Sequence, residues 1–379
     1  MLHVGLNLVF LTPGEQGGME VYARHLIRRL ARRDDLRLTA FVNKDGAGGD
    51  WGDGVAEVVV PVVARDRKQW VLGDQVLMPR LAAKAKVELV HSMASTSPVA
   101  GPFRRITTIH DLNYKLVPDT HFGVRGKVMA LLVPAAARRS HRVITDAAST
   151  RDDLVTHLGV PAGKVDVVPL GVTGAPDVTP TPEAALRAEL ELGDRAILLT
   201  VSAKRPHKNL ARLIEAHARL AAPRPVLILP GYPTPYEAEL RALADRLGTA
   251  ADLRWPAWVS QEDLEGLYAI ADAFAFPSLY EGFGLPPLEA MARGVPVLTS
   301  DRGSLAEVVG DAALVVDPES VDAIAAGLQQ LLGDGARRDR LRALGRERAA
   351  GFTWERTADL TAAAYRRAMG PAGAGAGAR

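Results

Sequence analysis

The sequence predicts an α/β protein built from two doubly wound parallel-sheet domains, on three observations. Short β-branched runs alternate with helical patterns through both halves of the chain. A stretch containing Pro176, Pro180 and Pro182 among small polar residues interrupts that alternation near the middle. At 379 residues the chain exceeds what one core comfortably fills, so two domains of similar size are expected.

In the first half, strands are expected at 3–11, 38–42, 57–62, 87–92, 106–110, 142–145 and 165–169. The first helix, over 20–33, sends Val21, Leu26, Ile27 and Leu30 inward and Arg24, Arg28, Arg29 and Arg32 outward. In the second half, strands are expected at 197–201, 226–229, 253–256, 273–276, 295–299 and 314–316. Ser260 with Asp263 starts a helix ending near Ala271, and Gly294 stops another before Pro296. The resulting division is a first domain over 1–173, a linker over 174–183, a second domain over 184–353, a last helix over 354–369 and a disordered Gly/Ala tail over 370–379.

Composition narrows the function. A net charge of +2 argues against a dedicated nucleic-acid binder, and the absence of cysteine removes disulfides, thiolate nucleophiles and Cys-based metal sites. The apolar start lacks a basic leader and a cleavage site. No apolar run reaches membrane-spanning length, and the longest candidate, 128–137, contains Pro134. A cytoplasmic protein is expected. The arginines of the first helix either solvate it or touch anionic lipid at the inner face of a membrane.

The chemistry concentrates around Glu281 and Glu289. Strand 273–276 should lead into a Gly-rich loop and then into a helix opened by Pro286 and Pro287. Ligands of open α/β sheets bind at such carboxyl strand ends, where a new helix offers unpaired amides to an anion. Gly282 and Gly284 let backbone approach a ligand. A sugar phosphate suits these groups, although a capped turn and a solvent-facing Glu289 would use the same residues. The loop Lys204-Arg205-Pro206-His207-Lys208 gathers cations after strand 197–201, before a helix expected at Asn209. No Asp-x-Asp occurs anywhere, so cations rather than a divalent ion are expected to stabilise a departing phosphate. Lys204 reads as solvated. Gly17-Gly18 fits either an ordinary strand-to-helix turn or a backbone approach to a ligand, and His110 ends a strand. Trp258 and Val259 are candidates to lie near a nucleotide base, with the core an equal expectation for Trp258.

The run Pro277-Ser278-Leu279-Tyr280-Glu281-Gly282-Phe283-Gly284-Leu285-Pro286-Pro287-Leu288-Glu289 resembles the Glu-x7-Glu signature of the retaining family 4 glycosyltransferases. The resemblance extends to Gly17-Gly18-Met19-Glu20, Ile109-His110-Asp111-Leu112, Val168-Pro169-Leu170-Gly171-Val172 and Lys208-Asn209-Leu210, and is strongest toward the O-antigen mannosyltransferase branch. It implies a GT-B architecture, with two facing Rossmann-like domains and a last helix crossing back. It also implies a metal-independent enzyme with no cofactor, moving a hexosyl group, mannosyl from GDP-mannose, onto a saccharide or lipid-linked hydroxyl. By resemblance Glu281 contacts the donor sugar, the Phe283, Gly284 and Leu285 amides the sugar and phosphate, Glu289 the ribose, Lys208 the diphosphate and His110 a sugar hydroxyl. Gly17, Gly18 and Gly171 line the substrate. Two departures from the family pattern are Ala203, where an arginine is common, and Ala147, where serine is. Arg205 is the substitute cation. A UDP-sugar transferase, a sugar-nucleotide epimerase and a non-catalytic sugar-nucleotide sensor are the alternatives.

Overall fold

The computed structural model of the chain describes residues 1–15, 17–117, 124–174 and 178–370, over 124–127 as backbone alone. Pro176 and the Gly/Ala repeat beyond Gly370 lie outside the described residues. The chain divides into two compact units. The first takes in Met1–Leu116, the segment ending at Gly171 and the residues from Trp354 onward; the second is chiefly Val172–Thr353.

In the first unit, β1 (Leu2–Leu8), β2 (Leu36–Val42), β3 (Ala56–Val59), β4 (Leu89–Ser92), β5 (Arg104–Thr108), β6 (Arg142–Thr145) and β7 (Val165–Val167) make one sheet in the order 3-2-1-4-5-6-7. Every pairing is parallel, with Leu6 opposite both Ala40 and His91. In the second unit, β8 (Ile197–Leu199), β9 (Val226–Ile228), β10 (Leu253–Arg254), β11 (Ala273–Phe276), β12 (Val297–Ser300) and β13 (Leu314–Val316) repeat the pattern in the order 10-9-8-11-12-13, again all parallel. Buried aliphatic side chains from strands and covering helices fill each core, such as Leu198, Leu227 and Leu298 with Leu213, Ile214 and Leu328. Strand order reverses between β1 and β4 and between β8 and β11. Those are the points where a doubly wound sheet opens a crevice at its carboxyl edge.

Several strands stop earlier than the apolar runs suggest. β1 ends at Leu8 because side-chain amides replace the ladder: Asn7 Oδ1 accepts from the Val9 amide at 3.2 Å, and Asn43 Nδ2 donates to the Val9 and Leu11 carbonyls at 3.0 and 2.6 Å. β5 likewise ends at Thr108, leaving His110 two residues beyond the strand.

The first helix, Gly18–Leu30, buries Tyr22, Ala23, Leu26, Ile27 and Leu30, while Val21 is 37% exposed. Tyr22 takes the inward position expected for Val21 because the buried stripe runs through 22, 26 and 30. The arginine face carries ion pairs rather than a bare cationic surface. Arg24 pairs with Glu20, Arg28 with Asp50, and Arg29 with Glu355. Surface pairs of this kind contribute about 0–1 kcal/mol each, so they orient more than they stabilise.

The last helix, Trp354–Met369, packs into the first unit through the small residues Ala358, Thr361, Ala362 and Ala364 together with Tyr365. At its start the Trp354 ring stacks on His25, centroids 4.9 Å apart and 8° from parallel. Deeper in, the Tyr365 hydroxyl lies 2.8 Å from His91 Nδ1, His91 Nε2 lies 2.8 Å from Thr108 Oγ1, and the Tyr22 hydroxyl reaches the same Thr108 oxygen at 3.0 Å. Burial, with a smaller contribution from nearby His110, pushes His91 down to about 3, so the ring is neutral at physiological pH. Tyr365→Phe removes the partner of His91 Nδ1 without opening a large cavity. It should cost about 1–3 kcal/mol, the penalty for a buried polar group left unpaired. A lowered chemical-unfolding midpoint at pH 7 is the expected result, and an unchanged midpoint would show that the bond contributes nothing.

Candidate functional site

In the second unit, the loops leaving β8 and β11 bring Lys208 and Glu281 together. Lys208 Nζ lies 2.6 Å from Glu281 Oε1, with side chains 17% and 12% exposed. The ammonium also sits 5.2 Å from the centre of the Phe276 ring, within cation–π reach.

Local sequence explains the placement. Residues Pro206–Lys208 form one 3-10 turn, and Asn209 then adopts a left-handed conformation, φ 59°, which asparagine tolerates better than most residues. The Asn209 amide donates to the Pro277 carbonyl at 3.0 Å and to the Pro318 carbonyl at 2.7 Å. The Leu279 amide donates to the His207 carbonyl at 2.8 Å, closing a second tie between the two loops. The following helix, Leu210–Ala218, therefore begins one residue later than the pattern suggests.

Lys204 is not a solvated cation. Its side chain is fully buried, its ammonium donates to the Gly231 carbonyl, and burial depresses its pKa to about 8. Arg205 is the exposed cation of this loop.

The loop after β12 supports Glu281 from behind. The Ser304 amide and hydroxyl both donate to the Glu281 carbonyl at 3.1 Å, and the hydroxyl also reaches the Phe283 carbonyl at 2.7 Å. A Cβ on Gly303 would stand 2.4 Å from the Glu281 carbonyl oxygen, so only glycine permits this approach. Gly284, φ 109°, caps the helix Leu285–Ala292, whose first turn carries the two prolines. Phe283 is buried edge-on against Phe352, 5.9 Å between ring centres.

Glu289 lies on that helix and is half-buried rather than solvent-facing. The Tyr268 hydroxyl donates to Glu289 Oε2 at 3.3 Å. Arg293 grips the buried Glu265 with two nitrogens and stands over the Tyr268 ring at 4.9 Å. Burial pushes the Glu289 carboxyl up, against the opposing pull of Arg293 and the Tyr268 hydroxyl. The helix supplying Tyr268 and Glu265, Gln261–Ile270, is capped as its sequence suggests, Ser260 Oγ accepting from the Asp263 amide at 3.0 Å. The two glutamates thus have separate partners. Trp258 is 67% exposed, outside the core, with its ring 5.1 Å from that of Tyr232.

In the first unit, Gly17 adopts φ 50° at the cap of the first helix, and Glu20 folds back to accept from the Gly14 amide at 2.7 Å. Gly18 is the first residue of that helix, and Gly171 is the last residue of this segment of the unit. His110 Nδ1 lies 2.6 Å from Asp146 Oδ2, and Nε2 lies 3.0 Å from the Met93 carbonyl. Both ring nitrogens are engaged within the unit, so a sugar hydroxyl would have to displace one of these partners.

Residues 16–173 match the model of Glycosyltransferase Family 4, and residues 183–348 match that of Glycosyl transferases group 1. The chain is 35% identical to the O-antigen chain mannosyltransferase B of Escherichia coli over 69% of its own length and 70% of that protein's. The chain belongs to glycosyltransferase family 4. This glycosyltransferase is also 30% identical to a GDP-mannose-dependent alpha-(1-6)-phosphatidylinositol monomannoside mannosyltransferase of Mycobacterium tuberculosis, covering 90% of this chain and 91% of that one. Other relatives are matched over little more than half of their own length. Among solved structures, sucrose-phosphate synthase from Thermosynechococcus elongatus superposes with a TM-score of 0.79 at 23% identity, covering 97% of this chain and 99% of that one. The glycosyltransferase has the GT-B fold class, with two Rossmann-like parallel-sheet units.

Among the described residues no group of three or more His, Asp or Glu side chains is placed to hold a metal ion, and no helix is long and apolar enough to cross a membrane. Sequence reasoning on the glycosyltransferase missed Ser304, Tyr268 and Asp146. Each acts on a residue at least 20 positions away, so no local spacing marks it. Ser304→Ala should free the Glu281 and Phe283 carbonyls from the hydroxyl while leaving the backbone bond. A stability loss of about 1 kcal/mol is expected, with weaker donor binding by titration calorimetry. Wild-type affinity and stability together would remove Ser304 from the support of the site.

Proposed function

We propose that the protein is a retaining, metal-independent mannosyltransferase that moves mannose from GDP-mannose to a hydroxyl of a saccharide or lipid-linked acceptor. The observation that carries this reading is the Lys208–Glu281 ion pair, 2.6 Å long and mostly shielded from water. It stands at the carboxyl ends of the two strands where sheet order reverses, beside a helix opened by glycine and proline. A nucleotide sugar meets complementary groups there. Lys208 faces the diphosphate, the Phe283, Gly284 and Leu285 amides the sugar and phosphate, Glu281 the sugar, and Glu289 the ribose. Arg205 supplements Lys208, and Gly17, Gly18, Gly171 and His110 belong to the substrate-facing surface of the first unit. The mannosyl and GDP assignments draw on the names of the two relatives above, both mannosyltransferases, one GDP-mannose-dependent.

Independence from metal draws on the chemistry of the donor set. Charge grows on the leaving diphosphate as the anomeric C–O bond breaks, and a fixed ammonium with the amides of the glycine-rich loop stabilises it without reorganisation. Glu281 is already ion-paired with Lys208, which leaves it poorly suited as a nucleophile. Front-face transfer follows. The acceptor oxygen bonds to the anomeric carbon on the face the diphosphate leaves, and its proton passes to the departing phosphate oxygen. The products are a mannoside with retained configuration and GDP.

The test follows nucleotide release from a panel of nucleotide sugars with EDTA present, with and without acceptor. GDP release from GDP-mannose with acceptor is expected. Strict dependence on added metal contradicts the cationic site, preference for a UDP-sugar replaces the donor, and an acceptor-free rearranged sugar points to an epimerase. Binding without turnover points to a sensor. Glu281→Ala should lower kcat by about 10²–10³-fold, the scale of losing a transition-state contact. Glu289→Ala should raise the Kd for GDP with a smaller effect on kcat. Wild-type turnover by the Glu281 variant would sink the assignment.

A further inference from the structure

His110 presents a proton-counting problem that the geometry resolves. Its two ring nitrogens face two acceptors, the Asp146 carboxylate at 2.6 Å and the Met93 carbonyl at 3.0 Å. A neutral imidazole has one N–H and one lone pair, so it satisfies only one of them. The groups around the ring decide where the second proton resides. On β4 His91 is neutral, pushed down to about 3 by burial. On the first helix Tyr22 meets the ring edge-on, centroids 4.9 Å apart, and burial raises its phenol beyond the usual range, so it is neutral too. The remaining charged neighbours are Asp146, following β6, and Asp111, next in the chain, both acidic. Asp146 is 2% exposed, and its second oxygen, Oδ1, is buried with no hydrogen-bond partner. Burial, with nearby Asp111, pushes the Asp146 carboxyl up, and the contact with His110 pulls it back, so the charged form of Asp146 depends on the imidazolium for its compensation.

We propose that Asp146 is a positioning residue that keeps His110 doubly protonated, so that the ring enters glycosyl transfer as a fixed cation and N–H donor rather than as a base. The inference rests on the reading that places His110 at the substrate. Burial opposes the charged ring, but Asp146, the Met93 carbonyl and Asp111 outweigh it, so His110 titrates above its ordinary value. With both nitrogens protonated the ring has no lone pair to take the acceptor's proton. Nε2–H donates to Met93 in the free enzyme and can exchange that carbonyl for an oxygen of substrate bound to the first unit. The proton of the acceptor hydroxyl is thereby left to the departing phosphate oxygen.

The experiment reads the ring directly. The ¹⁵N imidazole signals of wild-type protein, with His110 assigned by their loss in His110→Gln, should show both nitrogens protonated at pH 7. In Asp146→Asn the midpoint should fall by about 1–3 pH units, the effect of removing an opposite charge at contact distance. A wild-type ring that is neutral at pH 7 overturns the proposal, and needs no variant that might misfold. An unmoved midpoint in a folded Asp146→Asn protein overturns it equally. The second readout is the pH profile of kcat/KM for transfer, which reports groups of the free enzyme. His110 is active as the cation, so activity should be full below its pKa and lost as pH rises through it. The alkaline limb should move to lower pH in Asp146→Asn by the displacement seen in the ring. A displaced ring midpoint with an undisplaced kinetic limb removes His110 from the reaction while leaving the ionic pair intact. The two failures are therefore distinguishable.

Discussion

The contact between Lys208 and Glu281 is the constraint around which the second unit is arranged. Two opposite charges held out of water are costly unless geometry is good, and breaking such a pair costs more than it contributed when formed. The neighbouring loops supply that geometry. Asn209 ties the lysine turn to Pro277 and Pro318, and Ser304 holds the Glu281 backbone from the next strand. Phe276 lies beneath the ammonium. None of these groups carries charge, yet together they fix where charge can stand.

Much of the fold was legible because its signals are local. Alternation of β-branched runs with amphipathic helices marks parallel sheets, and β6, β11 and β13 lie where their apolar runs place them. The last helix also matches its pattern, Trp354–Met369. Element ends were less legible where a side-chain amide replaces the backbone ladder, as Asn7 and Asn43 do beyond Leu8. An asparagine in the chain does not announce which carbonyl it will meet.

The same division holds at the site. Glu281, Glu289, Lys208 and the glycines were marked by spacing, since one loop and one helix start contain most of them. Lys204 was misread because composition treats a lysine among cations as solvated, whereas the turn directs this one beneath Gly231. Arg28 and Arg29 read as an open basic face, since Asp50 and Glu355 are 22 and 326 positions from their partners. Tyr268, Ser304 and Asp146 left no local trace for the same reason. Sequence spacing resolves what a residue can do; its distant partners decide what it does.

The last helix also sets an order of assembly. The first unit receives Tyr365 only after the whole second unit has been made, and the bond from Tyr365 to His91 spans 274 positions. At translation rates of about 5–20 residues per second, the seven-stranded sheet waits on the order of ten to forty seconds for its final helix. During that interval the surface later covered by Thr361, Ala364 and Tyr365 is open, and His91 is accessible to water. The second unit, continuous in sequence over nearly all its length, is under no such delay. The unit that emerges first is therefore the one that finishes last.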